Sequence, residues 1–348
     1  MPELTAQFDA ALRNIEPTTA DKDNAPKAHA KVSDALRADS VIADWGFDPV
    51  LIGSYKRHVS IRRMKDVDVF GRLTALDDAV LPGSVLAEVE RVLRKAFPTV
   101  DGDVRVHRQA RSLQVGFREY DGLYVDAVPA RPWTSPYGAE AWQLPKREEK
   151  DHQQGWQATN PDRLTELTNE LNDVHHFDGH YVPTLKLLRQ TRRSLLKTRK
   201  PGGLTVELAA LHAFKTGLVA GPTLADYYAT ALRQTGNVLY NAFVLGRGLD
   251  DPTLTGEKVL VRGSDEDKTA LATAFLDAAS QAEQALRSTD KCSAAKTFRD
   301  LFGKAVDDVG DTDFVFPMPA TCNADGTAKR FATVTAGDPL VPASRRFG

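Results

Sequence analysis

Long apolar runs are missing from this sequence: no segment approaches the roughly 20 apolar residues that a membrane-spanning helix needs. The N-terminal stretch MPELTAQFDAALRNIEP likewise lacks the basic and apolar regions of a secretion signal. Both absences argue for a cytoplasmic protein with no membrane partner. Cysteine is scarce, Cys292 and Cys322 being the only two, with no CxxC pair. A disulfide framework is therefore not indicated, and separate reduced thiols, buried or incidental, are the expectation. Excess positive charge is lacking too, since 45 basic residues face 47 acidic ones for a net charge of −2. General coating of nucleic acid depends on neutralising phosphates, so this balance excludes it and gives no sign of obligatory DNA binding. The absence of GxxxxGK, GxGxxG and GxSxG removes P-loop, dinucleotide-binding and hydrolase readings. His175, His176 and His180 cluster without Cys or HExxH context, which argues against zinc and for a surface or loop position.

What remains is an ordinary globular composition, 42% hydrophobic and 26% charged over 348 residues, long enough for two lobes. Residues 26–43 carry apolar positions at helical intervals, and 83–97 do so again. DPVLIGSY reads as a short strand ending in a Gly-Ser turn, and DVDVFGRL alternates acid with apolar residues as a half-buried strand does. VRVHRQ, SLQVGF and LYVDAV are three further strand-like runs. From Pro129 to Pro161 the chain is rich in proline, tryptophan and charge and reads as loop and crossover. Trp133, Trp142 and Trp156 within it suit either packing between lobes or stacking on a base. Helical spacing dominates after that, over 161–172, 181–198, 204–217, 223–234, 266–287 and 293–304. The proline-rich C-terminal stretch reads as a tail or edge structure.

Asp66 and Asp68 stand two apart in a strand, so both carboxylates emerge on one face while Val67 and Val69 face the core. Two adjacent carboxylates repel unless cations sit between them, and hard divalent ions take oxygen ligands of this kind. Asp126, in the apolar run Leu123 to Val128, is costly to bury without a partner and completes the set as a third ligand. Two Mg²⁺ or Mn²⁺ ions held this way would activate an acceptor hydroxyl and stabilise a pyrophosphate leaving group, with Asp126 assisting deprotonation. Gly53 and Ser54, about a dozen residues earlier, form a turn whose amides and hydroxyl suit triphosphate oxygens. Between Asp178 and Glu207 no acid occurs, yet Lys186, Arg189, Arg192, Arg193, Lys197, Arg199 and Lys200 fall there. Lys186, Arg189, Arg193 and Lys197 lie 3, 4 and 4 apart and form one helical ridge, with Leu185, Leu188 and Leu196 turned inward.

The string GSYKRHVSIRRMKDVDVF, with YVDAVPA downstream, resembles the DNA polymerase β-like nucleotidyltransferases and, more narrowly, the bacterial cGAS/DncV-like synthases. Gly53, Ser54, Tyr55, Arg57, Ile61, Arg62, Asp66 and Asp68 match that motif as they stand. The resemblance implies an α+β fold with a polymerase β-like palm, a helical second lobe and a site in the cleft. It divides the chain into a catalytic lobe over 1–160 that includes a long N-terminal helix, a helical lobe over 161–318 and a tail over 319–348. It assigns Gly53, Ser54, Lys56, Arg57, Lys186 and Arg189 to the nucleotide. In the segment PGGLTVELAALHAF the family often has a phosphate-contacting serine, where this chain has Gly203 and Thr205. The implied activity is synthesis of a cyclic or linear oligonucleotide second messenger from nucleoside triphosphates in antiphage defence, with a downstream effector answering to the product. Some relatives are also regulated by attachment through the C-terminal residue, performed by a ubiquitin-transfer-like enzyme, which makes Gly348 of SRRFG a candidate. A nucleotidyltransferase acting on tRNA, protein or a small molecule, and an inactive nucleotide or RNA sensor, remain the alternatives.

Overall fold

The computed structural model describes residues 3–62, 66–147, 154–307 and 310–329. Gly348 lies outside them. The chain opens with α1 (Thr5–Ile15) and α2 (Thr19–Arg37), followed by the short α3 (Ser40–Asp44). The start of α2 is fixed by a reciprocal cap, Thr18 Oγ1 accepting from the Asp21 amide and Asp21 accepting from the Thr18 amide. Pro26 therefore lies inside the helix and not at its beginning. The buried stripe Ala25, Ala28, Val32 and Leu36 holds the helix together across that proline by packing on the sheet.

Next come β1 (Phe47–Ile52), α4 (Gly53–Lys56), β2 (Asp66–Leu73), α5 (Pro82–Ala96), β3 (Val106–Arg108), β4 (Leu113–Phe117) and β5 (Leu123–Thr134). β6 (Glu140–Arg147) and β7 (Gln154–Thr159) complete a sheet of order β1-β2-β5-β4-β3, with β6 and β7 continuing from the far half of β5. Only the β2/β5 pair is parallel within it. Val67, Val69, Val115, Val125 and Ala127 turn to one face and are covered by α2 and α5. By strand alternation the acids between them turn to the other face.

The stretch from Pro129 to Pro161, expected to be loop and crossover, is instead mostly strand. Its prolines sit in a ribbon where they oppose tryptophans, Pro132 against Trp142 and Pro145 against Trp156. Stacked cations stabilise the ribbon, with the Arg131 guanidinium 4.1 Å from the Trp156 ring and Arg72 5.3 Å from Trp142.

The second core is helical: α6 (Pro161–Asn172), α7 (Val174–Phe177), α8 (Tyr181–Leu196), α9 (Gly203–Lys215), α10 (Leu224–Phe243), α11 (Asp265–Arg287) and α12 (Lys291–Phe302), followed by the hairpin β8 (Lys304–Asp307) and β9 (Gly310–Phe314). Leu185, Leu188 and Leu196 are buried in it, as the ridge argument requires. The sequence pattern stops α10 at 234, but the helix runs through Gly236, where Leu276 of α11 packs so closely that a side chain would clash at 2.9 Å. α1 belongs to this core as well, its Phe8 ringed by Tyr228, Phe298, Phe302 and Phe316. Val59 and Ile61, after α4, are also buried there, so the segment that follows the Gly-Ser turn is nailed into the helical core.

The thiols expected to be separate are joined: Cys292 at the start of α12 and Cys322, 30 residues on, form a disulfide with Cα atoms 5.3 Å apart. Nothing local announces this pairing, because the folding back of the segment after β9 brings the two together. Among the described residues no helix is long and apolar enough to cross a membrane.

Candidate active site

β2 and β5 run parallel with Asp68 directly opposite Asp126, and Asp66 lies two residues earlier on the same face. Neighbouring strands are about 4.8 Å apart, which sets the two backbones' separation at the acids. Burial is the first cause of a carboxyl pKa raised to about 7 at Asp68, with the Asp66 and Asp126 charges adding and Arg57 opposing. Asp126 is raised to about 6, again by burial first and the Asp66 charge second, while a hydrogen bond from Gln114 and the charge of Arg262 pull it down. Gln109 Nε2 also donates to Asp126 at 3.3 Å and is itself held by Ser112. The three carboxylates thus share one face and one electrostatic field. Among the described residues, no group of three or more His, Cys, Asp or Glu side chains is closed into a ready-made metal cage. The donor set nonetheless fits hard divalent cations, being all oxygen and carrying repulsion that a cation would relieve.

β1 ends against this face. Gly53 follows it at φ +81°, and a Cβ there would overlap the Asp68 carboxylate. Only glycine lets the turn pass so near the acid. Ser54 comes next, its hydroxyl 2.9 Å from Ser60 Oγ and its carbonyl accepting from the Val59 and Ser60 amides. Arg57, at the end of α4, is buried and donates to Glu207 of α9 at 2.6 Å.

The basic ridge of α8 is engaged in ion pairs and hydrogen bonds with neighbouring segments. Lys186 meets Glu16 at 2.5 Å, Arg189 meets Glu207 at 3.2 Å, and Arg193 donates to the Arg62 carbonyl at 2.7 Å. Its next member, Lys197, caps the helix and is exposed. Arg192 is occupied with the Pro201, Lys197 and Arg199 carbonyls, and Arg199 pairs with Asp267. Lys186 and Arg189 therefore diverge. Lys186, with the exposed Lys56, lines a cavity of about 420 Å³ beside Glu16, Lys22, Tyr55 and Ser60, to which none of the three acids contributes. Arg189 instead lies within electrostatic reach of Asp66. Gly203 opens α9 with its α-carbon against the Arg189 guanidinium, whereas Thr205 is buried.

Sequence reasoning missed Gln109, Gln114, Arg262, Ser60, Glu16 and Glu207. The alternation of SLQVGF could have marked Gln114 as an outward residue beside Asp126, and Glu207 is the acid that ends the basic run. Trp142 and Trp156 are engaged in packing, Trp142 meeting Phe70 edge to face at 5.8 Å.

Residues 3–172 match the Second Messenger Oligonucleotide or Dinucleotide Synthetase domain. The cyclic AMP-AMP-AMP synthase of Acinetobacter sp. (strain ATCC 27244 / 9458) is 26% identical over 308 residues, covering 85% of this chain and 83% of its own. Among solved structures, E. coli MS115-1 CdnC with ATP superposes with a TM-score of 0.63 at 19% identity over 86% of this chain and 97% of that one. Bradyrhizobium diazoefficiens CdnG in complex with GTP gives 0.64 at 16% identity over 86% and 95%. Vibrio cholerae DncV gives 0.57 at 14% identity over 86% and 85%. A mixed sheet bearing carboxylates on its open face, beside a Gly-Ser turn and a helical lobe, is the polymerase β-like nucleotidyltransferase fold. Residues 3–172 carry the match to a second-messenger synthetase domain, and the fold is the one shared with CdnC, CdnG and DncV.

Proposed function

We propose that the protein joins nucleoside triphosphates into a cyclic or linear oligonucleotide second messenger used in antiphage defence, with Asp66, Asp68 and Asp126 holding two divalent cations. The observation that carries this reading is the register of β2 on β5, which sets Asp68 against Asp126 on the face where Gly53 makes its turn. When bound, the cations would supply charge neutralisation and activation of the attacking hydroxyl. The chain's own groups do the rest. Gly53 and Ser54 present amides and a hydroxyl to the β- and γ-phosphates, and Arg57 and Arg189 add positive charge from the lobe junction, with Gly203 giving the guanidinium room. Asp126, on the same face as the other two acids, accepts the proton of the acceptor hydroxyl. In this reading Lys56 and Lys186 border the phosphates from the neighbouring cavity, and Thr205 serves packing. The name of the Acinetobacter relative makes ATP the first substrate to try.

The solved complex of E. coli MS115-1 CdnC with HORMA-deltaN supports a protein partner for this chain as well. Attachment through Gly348 is a further route for regulation, alongside an effector that reads the product.

Incubation with labelled triphosphates and Mg²⁺ or Mn²⁺ alone should give oligonucleotide product by mass spectrometry, and Asp66→Ala/Asp68→Ala should abolish it. Product persisting in the double variant defeats the metal assignment. Turnover only when tRNA, protein or a small acceptor is added defeats second-messenger synthesis.

A further inference from the structure

Glu207 is fully buried, at 0% exposure, yet it receives two guanidiniums. Arg57 Nε donates to Oε1 at 2.6 Å and Arg189 Nη1 to Oε2 at 3.2 Å. The three residues come from three elements: Arg57 from the segment that follows the Gly-Ser turn, Arg189 from α8 and Glu207 from α9. One carboxylate neutralises one guanidinium, so the triad keeps a surplus positive charge at a junction where burial makes unbalanced charge costly. A purely structural ion pair needs no second arginine. The surplus has a direction, because Asp68 acts electrostatically on Arg57 and Asp66 on Arg189. Gly203 lies close to Arg189 as well, where an added Cβ would stand 3.2 Å from the guanidinium carbon. With Nη1 committed to Glu207 and Gly203 close to the guanidinium, the orientations open to the remaining N–H groups of Arg189 are restricted.

We infer that Glu207 is a positioning residue for the triphosphate: it holds Arg189 at the lobe junction so that the guanidinium meets the phosphate oxygens in a fixed plane. Rotamer freedom in a long cation is a cost of binding, and Glu207 removes it before the nucleotide arrives. This assignment rests on the nucleotidyltransferase reading of the cleft.

The test is a double-mutant cycle on the full chain, reading affinity for a non-hydrolysable ATP analogue with Mg²⁺ by calorimetry, with thermal unfolding of each variant alongside. Glu207→Gln keeps the shape of the side chain and removes its charge. It is expected to weaken binding by about tenfold. Arg189→Ala should weaken it at least as much. In the Arg189→Ala background Glu207→Gln should lose clearly less affinity than in the wild type, what remains being carried through Arg57, since coupled residues do not add. Should Glu207→Gln not fold, Glu207→Asp takes its place, because a shorter carboxylate releases the longer contact, that to Arg189, first. Equal fold-losses in both backgrounds, or a fall in melting temperature with affinity unchanged, overturn the inference. Wild-type protein that binds no triphosphate overturns the functional reading along with it. Wild-type binding with an additive cycle overturns the positioning role alone.

Discussion

Gly53 combines a left-handed φ of +81° with an α-carbon that leaves no room for a methyl group beside Asp68. Gly53→Ala therefore carries a backbone cost of about 1–2 kcal/mol and displaces a carboxylate. Displacement of a reacting group by ~1 Å lowers rates by about a hundredfold. Initial rates should fall that far while the melting temperature falls only modestly, and wild-type rates would mean that the position of Asp68 is not critical. Asp68 itself makes a prediction about pH. Folding raises its pKa from 3.8 to about 7, so between those values the native state binds more protons than the unfolded chain. Stability from this residue is then lost as pH rises through that window, by an amount on the order of 2–4 kcal/mol. Asp68→Asn removes the titration. Its melting temperature should exceed that of the metal-free wild type at pH 8 and converge with it toward pH 4, and a gap that widens on acidification would refute the assignment.

At the scale of elements, the ribbon β5–β7 shows most clearly where local pattern misleads. Prolines and charges in 129–161 argue for loop because each residue's own preference is read alone. What makes strands of them is aromatic and cationic partners brought from elsewhere, Phe70 and Arg72 of β2 for Trp142, and Arg131 for Trp156. Trp142→Ala should cost about 2–3 kcal/mol in denaturant unfolding, as loss of a packed aromatic does. If Trp142 is a packing residue, nucleotide KM stays within about twofold of wild type; a large rise in KM at unchanged stability would restore a base-stacking role. β2 and the α8 ridge, by contrast, were legible, since alternation by two and spacing by three and four are geometric consequences of the backbone itself. α1 left a readable trace too, with Phe8, Ala11, Leu12 and Ile15 at helical intervals, but its place in the helical core is a matter of packing.

For the whole molecule, the decisive arrangement is the fastening of the sheet to the helical lobe. α1 and the Val59–Ile61 segment are buried with the second lobe, and the α8 cations reach Glu16 and the Arg62 carbonyl. The Gly-Ser turn is therefore held by both lobes at once. The disulfide ties the segment after β9 to α12 in the same way, closing a loop of 30 residues. A crosslink of that span stabilises by about 3 kcal/mol through the unfolded chain. Reductant should lower the melting temperature of non-reduced protein accordingly, and alkylation before reduction should label neither cysteine; two labelled thiols in the untreated protein would show that the bond does not form.

The sequence by itself determined the carboxylate-bearing face: two acids at strand spacing, a third in an apolar run and a glycine-serine turn are local features whose geometry the backbone dictates. Only the tertiary structure decided which cation serves which anion. Lys186 went to Glu16 across 170 positions and Arg57 to Glu207 across 150, because charges pair by distance in space and by burial, and neither quantity is carried by the order of residues along the chain.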